Sequence, residues 1–238
     1  MALAAICFDL DDTLHDLAGA QRDAVAVAAV HAARLWPGLR PEALAERYFA
    51  LEGQAWEEYM AGTLDTSHYR RALFARPLTE LLGREPEEEA LADIHALRMR
   101  EMDRSWRAFP DAIECLARLE GRFTLACLTN GPADNKWVRV AATGLDRFFS
   151  PERVFVSEAV GWHKPDRRYF DHVLAVLGLR PEQALMVGDN PATDIAGAQG
   201  VGMPAAWLNR TGNAWPGTLP PPAYELRSLS ELPPLLGL

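Results

Sequence analysis

Apolar residues along this chain follow two different rhythms. Near the N-terminus a short run, Ile6-Cys7-Phe8, has strand length and passes directly into Asp9-Leu10-Asp11-Asp12-Thr13. From Leu14 to about residue 107 the spacing is helical throughout. It predicts helices over 18–35, stopped by Trp36-Pro37-Gly38, and from Pro41 onward, with Leu44, Tyr48, Leu51 and Ala55 on one face. Two further helices are predicted over 67–82 and 86–104, the last opening on Glu87-Glu88-Glu89, acids that suit a first helical turn.

Beyond Phe109 the rhythm changes. Helices over 110–120, 132–142, 166–177 and 191–199 alternate with short apolar strands over 124–128, 154–156, 184–187 and 204–208. The segment 210–222, rich in Gly and Pro, reads as a surface loop, with a short strand and helix expected between 223 and 236. Strands alternating with helices imply right-handed crossovers and a parallel sheet. The first strand must therefore pair with strands that follow the helical stretch. The expected organisation is a core of 1–14 and 108–238 in α/β form, interrupted by a helical subdomain over 15–107 that covers the sheet's edge.

Composition narrows the classes of partner. A formal charge of −9 over 238 residues argues against a nucleic-acid polymer or an anionic membrane. It leaves open a small anion held through a local cation. No apolar run is long enough to span a bilayer, and the three cysteines, Cys7, Cys115 and Cys127, are sparse and apolar in setting. Reduced core thiols and a cytoplasmic location are expected.

The chemistry gathers where strands end. In an open parallel sheet, ligands bind outside the carboxyl ends of the strands. There stand Asp9, Asp11, Asp12 and Thr13, then Thr129-Asn130-Gly131, then His163-Lys164-Pro165, then Gly188-Asp189-Asn190 with Asp194 one turn on. Clustered acids after a buried strand repel one another and resist desolvation, so they need a cation or a reaction to hold them. Alternation along an extended chain puts Asp9 and Asp11 on one side.

This ordered set resembles the four motifs of the haloacid dehalogenase-like (HAD) hydrolase superfamily, and a helical insert after the first motif is that family's common cap position. The resemblance implies a Rossmann-like parallel sheet with a helical cap, and a Mg2+-dependent phosphomonoester hydrolase working through an aspartyl-phosphate. Asp9 would be the nucleophile and Asp11 the acid/base. Mg2+ would sit on Asp9, the Asp11 carbonyl and Asp189, with Asp194 orienting that shell. Thr129, Asn130, Gly131 and Lys164 would bind the phosphoryl group. The second aspartate separates the chain from true haloacid dehalogenases, and the absence of lysine from the insert excludes a Schiff-base phosphonate route.

Within the superfamily the chain looks most like pyrimidine 5′-nucleotidases and N-acylneuraminate-9-phosphatases. Three stretches carry this: Leu128-Thr129-Asn130-Gly131, Ser157-Glu158-Ala159-Val160-Gly161, and Trp56-Glu57-Glu58-Tyr59-Met60-Ala61-Gly62. The substrate implied is a small phosphorylated metabolite such as a nucleoside 5′-monophosphate, with a sugar phosphate or a phosphomutase reaction as the alternative. Trp56 and Tyr59 would face the substrate and His15 would line the entrance. A monomer or homodimer is expected. A phosphoacceptor switch or an inactive regulatory relative would share the sheet, but receiver-type switches carry their aspartate on a later strand.

Overall fold

The chain is described by a computed structural model covering residues 2–134 and 136–238. Six strands form one parallel sheet in the order β3-β2-β1-β4-β5-β6. They are β1 (Ala5–Phe8), β2 (Thr124–Thr129), β3 (Val154–Val156), β4 (Ala184–Gly188), β5 (Ala205–Leu208) and β6 (Tyr224–Leu226). Strand β1 is central, with Ile6 beside Leu125 and Leu185 and Phe8 beside Cys127 and Val187. Because both faces of a parallel sheet are covered, β1 is apolar at every position and wholly buried. Ile6 and Phe8 enter one core with Leu116, Leu119 and Phe149. Ala5 and Cys7 enter the other with Tyr169, Phe170 and Met186.

The chain divides into two compact units, Met1–Asp16 with Arg107–Leu238, and Leu17–Trp106. The second is a four-helix unit: α1 (Leu17–Leu35), α2 (Pro41–Met60), α3 (Thr66–Leu82) and α4 (Glu88–Ser105). Helix α1 packs on α4, and α2 on α3. Val25, Leu44, Tyr48, Phe74, Leu78 and Ile94 form its core. Asp65 caps α3 by accepting from the His68 N–H at 2.8 Å. Leu51, placed by periodicity on the buried face of α2, is only half-buried.

In the sheet unit the helices are α5 (Pro110–Leu119), α6 (Lys136–Ala142), the single turn α7 (Ser157–Val160), α8 (Arg167–Leu177), α9 (Ala196–Gly200) and α10 (Leu232–Leu235). The helix expected over 132–142 is observed from Lys136; Asn135 lies outside the described residues. The helix expected over 191–199 begins as a π-turn, Pro191–Ile195, and tightens into α9 only afterwards. Asn190 accepts from the Ala192 and Thr193 N–H groups, and the wide turn closes through the Ala196 N–H to Pro191. Wide turns of this kind occur often at functional sites. No helix among the described residues is long and apolar enough to cross a membrane.

Candidate active site

The strand order reverses at β1, whose neighbours are β2 and β4, and this is where an open α/β sheet leaves a crevice. The Asp9 N–H still pairs with the Val187 carbonyl at 2.9 Å, and the chain then turns back on itself. Asp12 takes the left-handed conformation (φ 59°), which aspartate tolerates better than most residues. Its N–H meets the His15 carbonyl at 2.8 Å, and the Leu14 N–H meets the Leu10 carbonyl at 3.0 Å. This loop separates the environments of Asp9 and Asp11.

Asp9 belongs to a buried cluster around Lys164. The Lys164 ammonium donates to Asp9 Oδ1 at 2.6 Å, to Asp194 Oδ1 at 2.7 Å and to the Leu128 carbonyl at 2.8 Å. All three of its protons are thereby used. The Lys164 backbone is clamped in turn by Asn130, which accepts from its N–H and donates to its carbonyl, both at 2.9 Å. Asp194 Oδ2 accepts from the Asn190 N–H at 3.0 Å, so the π-turn fixes that carboxylate. Gly188 makes room for it: a Cβ there would stand 2.3 Å from Asp194 Oδ2. Asp189 is held from the other side, its N–H donating to Thr13 Oγ1 at 3.1 Å and its carbonyl accepting from the Trp207 indole at 2.8 Å.

Carboxylate oxygens of Asp9, Asp189 and Asp194 lie within 4.8 Å of one another. One ammonium does not balance three acids. Burial raises the Asp9 carboxyl from 3.8 to about 7 against the pull of Lys164, with Asp194 and Asp11 adding repulsion. Burial, then Asp9 and Asp194, raise Asp189 well above the ordinary carboxylate range. Hard oxygen donors with residual negative charge suit a small divalent cation such as Mg2+.

Asp11 lives in the opposite surroundings. Its Oδ2 accepts from the Lys136 ammonium at 2.5 Å and from the Thr129 hydroxyl at 3.3 Å. Its Oδ1 lies 2.9 Å from His15 Nε2 and 3.5 Å from Arg139 Nη1. Burial by itself would raise Asp11, but Lys136, His15 and Arg139 together hold it well below the usual carboxylate range.

A family model for haloacid dehalogenase-like hydrolases matches residues 3–202. The chain belongs to the haloacid dehalogenase-like hydrolases. Among relatives in this family, the phosphoserine phosphatase of Thermus thermophilus is 36% identical over 177 residues, covering 71% of this chain and 68% of the relative. The pyrimidine 5′-nucleotidase YjjG of Escherichia coli is 30% identical over 191 residues, covering 79% and 80%. The crystal structure of the HAD-hydrolase YfnB of Bacillus subtilis, bound to magnesium, superposes with a TM-score of 0.83 at 26% identity over the whole of both chains.

Several residues of this HAD hydrolase stand differently from their sequence expectation. His15 is wholly buried and bonded to Asp11, so it lines no entrance; the turned-back loop after β1 draws its ring inward. The Gly131 N–H, expected to face phosphate, donates to the buried Ser157 hydroxyl at 2.9 Å. The Asn130 side chain serves the Lys164 backbone. In the four-helix unit Trp56 and Tyr59 are half-buried and form an aromatic trio with Tyr69, at centroid separations of 5.6, 5.8 and 5.1 Å.

Lys136 and Arg139, on the first two turns of α6, were not anticipated as site residues at all. A signal was available. The chain has only two lysines, Lys136 and Lys164, and otherwise uses arginine. Both are almost completely buried beside an aspartate of the loop that follows β1.

Proposed function

We propose that this chain is a Mg2+-dependent phosphomonoester hydrolase that acts through an aspartyl-phosphate on a small phosphorylated metabolite. The observation that supports it best is that each of the two aspartates, Asp9 and Asp11, in the loop after β1 has its own buried lysine. Lys164 stands 2.6 Å from Asp9, and Lys136 stands 2.5 Å from Asp11. Two carboxylates on one loop with divergent environments suit two different tasks.

Asp9 attacks phosphorus, the ester P–O bond breaks, and the Asp9 carboxylate carries the phosphoryl group. Asp11 protonates the departing alkoxide and then takes a proton from the water that attacks phosphorus and frees Asp9. Lys164 holds Asp9 in place and offsets charge, while Thr129 and the neighbouring backbone receive phosphoryl oxygens. Lys136 has a gating part. An incoming phosphate dianion draws its ammonium away from Asp11, and Asp11 then loses a cation that keeps it ionised. That is the direction a general acid needs. Asp9, Asp189 and the Asp11 carbonyl would hold Mg2+, with Asp194 orienting them. Bound there, the ion supplies Lewis-acid charge compensation for the phosphoryl oxygens.

For the substrate, the likeness to the pyrimidine 5′-nucleotidase YjjG, 30% identical, supports a nucleoside 5′-monophosphate. The test is hydrolysis of p-nitrophenyl phosphate and of a panel containing nucleotides, sugar phosphates and O-phosphoserine. Asp9→Asn should abolish turnover of every ester while the circular dichroism spectrum is retained, and EDTA should do the same reversibly. Residual turnover in the variant refutes the nucleophile assignment. A panel won by sugar phosphates refutes the nucleotide.

A further inference from the structure

Two residues beyond β5, Arg210 reaches back to the loop that follows β1. Its Nη2 donates to the Thr13 carbonyl at 3.0 Å. The same guanidinium forks onto Asp111 in the first turn of α5, with Nη1 to Oδ2 at 2.8 Å and Nη2 to Oδ1 at 3.0 Å. Its carbon lies 4.0 Å from the ring centroid of Phe109, so the plane of the group is fixed as well as its edge. Asp111 is anchored in turn, its Oδ2 accepting from the Ser228 hydroxyl at 2.7 Å and the Leu229 N–H at 3.0 Å. The backbone that delivers Arg210 is held by buried Asn209. The Asn209 amide donates to the Asn213 carbonyl and to Glu225 Oε1, and its oxygen accepts from the Asn213 N–H.

Thr13 links this arginine to the acid cluster. It is wholly buried, and its hydroxyl accepts from the Asp189 N–H at 3.1 Å and donates to Asp189 Oδ1 at 3.3 Å. A β-branched side chain has little freedom at χ1, so the direction of that hydroxyl follows the Thr13 backbone. The backbone is held by its carbonyls: Arg210 takes that of Thr13, and the Phe109 N–H takes that of Leu14 at 2.9 Å. Asp189 is therefore set at two points, and both trace to the end of β5. The Trp207 indole holds its carbonyl directly, and Arg210 acts on its N–H and carboxylate through Thr13.

The fork onto Asp111 would be complete without the bond to Thr13, and that extra bond gives the arginine a part in the site. We propose that Arg210 is a positioning residue: it fixes Thr13, through Thr13 it fixes Asp189, and so it sets how tightly the acid cluster holds Mg2+. The proposal rests on the reading of that cluster as the Mg2+ site. Its sign separates it from a charge effect. Removing a cation near a metal site favours the metal by Coulomb's law, whereas loss of a positioning residue weakens binding.

The test is the melting temperature of the full chain against Mg2+ concentration, starting from EDTA and at constant ionic strength. The stabilisation follows RT ln(1 + [Mg2+]/Kd), so the onset of the rise gives Kd without any turnover. Arg210→Met should raise that Kd about tenfold, the size expected when a group that orients a metal ligand is lost. Thr13→Val keeps the branched shape, loses the hydroxyl and should raise Kd by a similar factor. The double variant should lie within about twofold of the weaker single variant, because both substitutions cut one path. Arg210→Lys keeps the charge beside Asp111 and loses the fork, so its Kd should also rise; it carries the test if Arg210→Met does not fold. A lower melting temperature in EDTA with a wild-type Kd in the folded Arg210 variants overturns the proposal and leaves the Mg2+ reading standing. Independent, multiplying effects in the double variant overturn it as well. A wild type that melts alike with and without Mg2+ removes the Mg2+ reading itself, and the proposal with it.

Discussion

Two buried carboxylates, Asp9 and Asp194, share the Lys164 ammonium and the half-buried Asp189 stands beside them, so the metal-free protein should lose stability as pH rises toward neutrality. The share belonging to Asp9 can be worked out. Burial raises its carboxyl to about 7 in the folded chain; in the unfolded chain it returns to about 4. A folded-state pKa above the unfolded value means that the folded protein keeps the proton longer. The contribution is therefore complete below about pH 4 and is lost as pH climbs through about 7. Three pH units at about 1.4 kcal/mol each give a loss on the order of 4 kcal/mol. Asp189 is shifted in the same direction and adds to it. His95 opposes this, because its pKa falls to about 4 on folding. Its contribution is complete above about pH 6.5 and is lost as pH falls through about 4. A single pH curve would mix the two effects. Urea unfolding should instead be measured between about pH 5 and pH 8, with EDTA and with saturating Mg2+, in wild type and Asp9→Asn. The Mg2+-dependent gain should grow with pH in the wild type, and the metal-free fall should shrink in the variant. A gain that is independent of pH, or identical in Asp9→Asn, would refute the account of the acid cluster.

Two further predictions probe the neighbours of these aspartates. Lys136→Met should lower kcat/KM for p-nitrophenyl phosphate by about a hundredfold or more. It should also move the basic limb of the kcat/KM profile to higher pH, because Asp11, the general acid of the first step, loses its nearest cation; an unmoved limb would separate Lys136 from Asp11. Gly188→Ala puts a Cβ 2.3 Å from Asp194 Oδ2 and 2.5 Å from its Cγ, so the carboxylate must leave Lys164 and the Asn190 N–H. Activity should drop at least about tenfold and the melting temperature by several degrees, a loss of a few kcal/mol. Normal activity would mean that Asp194 does not orient the site.

The order of strands and helices, and the gathering of Asp9, Thr129, Lys164 and Asp189 at one sheet edge, were legible in the sequence. Period-two and period-3.6 apolar patterns mark elements that bury one or both faces, and parallel topology then brings the carboxyl ends of the strands together. The predictable part ended where a side chain's partner depends on how the chain bends after its element. The left-handed Asp12 turns His15 inward onto Asp11, and nothing local to His15 signals that. Helix α6 carries Lys136 toward the end of β1 across 125 residues of sequence. Its spacing alone reads as a solvated lysine on a helix face. The same holds for Arg98, a charge at a position of α4 that packing, not periodicity, encloses. Sequence pattern determined which elements form and in what order, because burial of apolar faces is a local, periodic property. Which aspartate is held ionised and which is pressed toward its neutral form was decided by tertiary structure, because burial and the distance to a lysine exist only once the chain has folded.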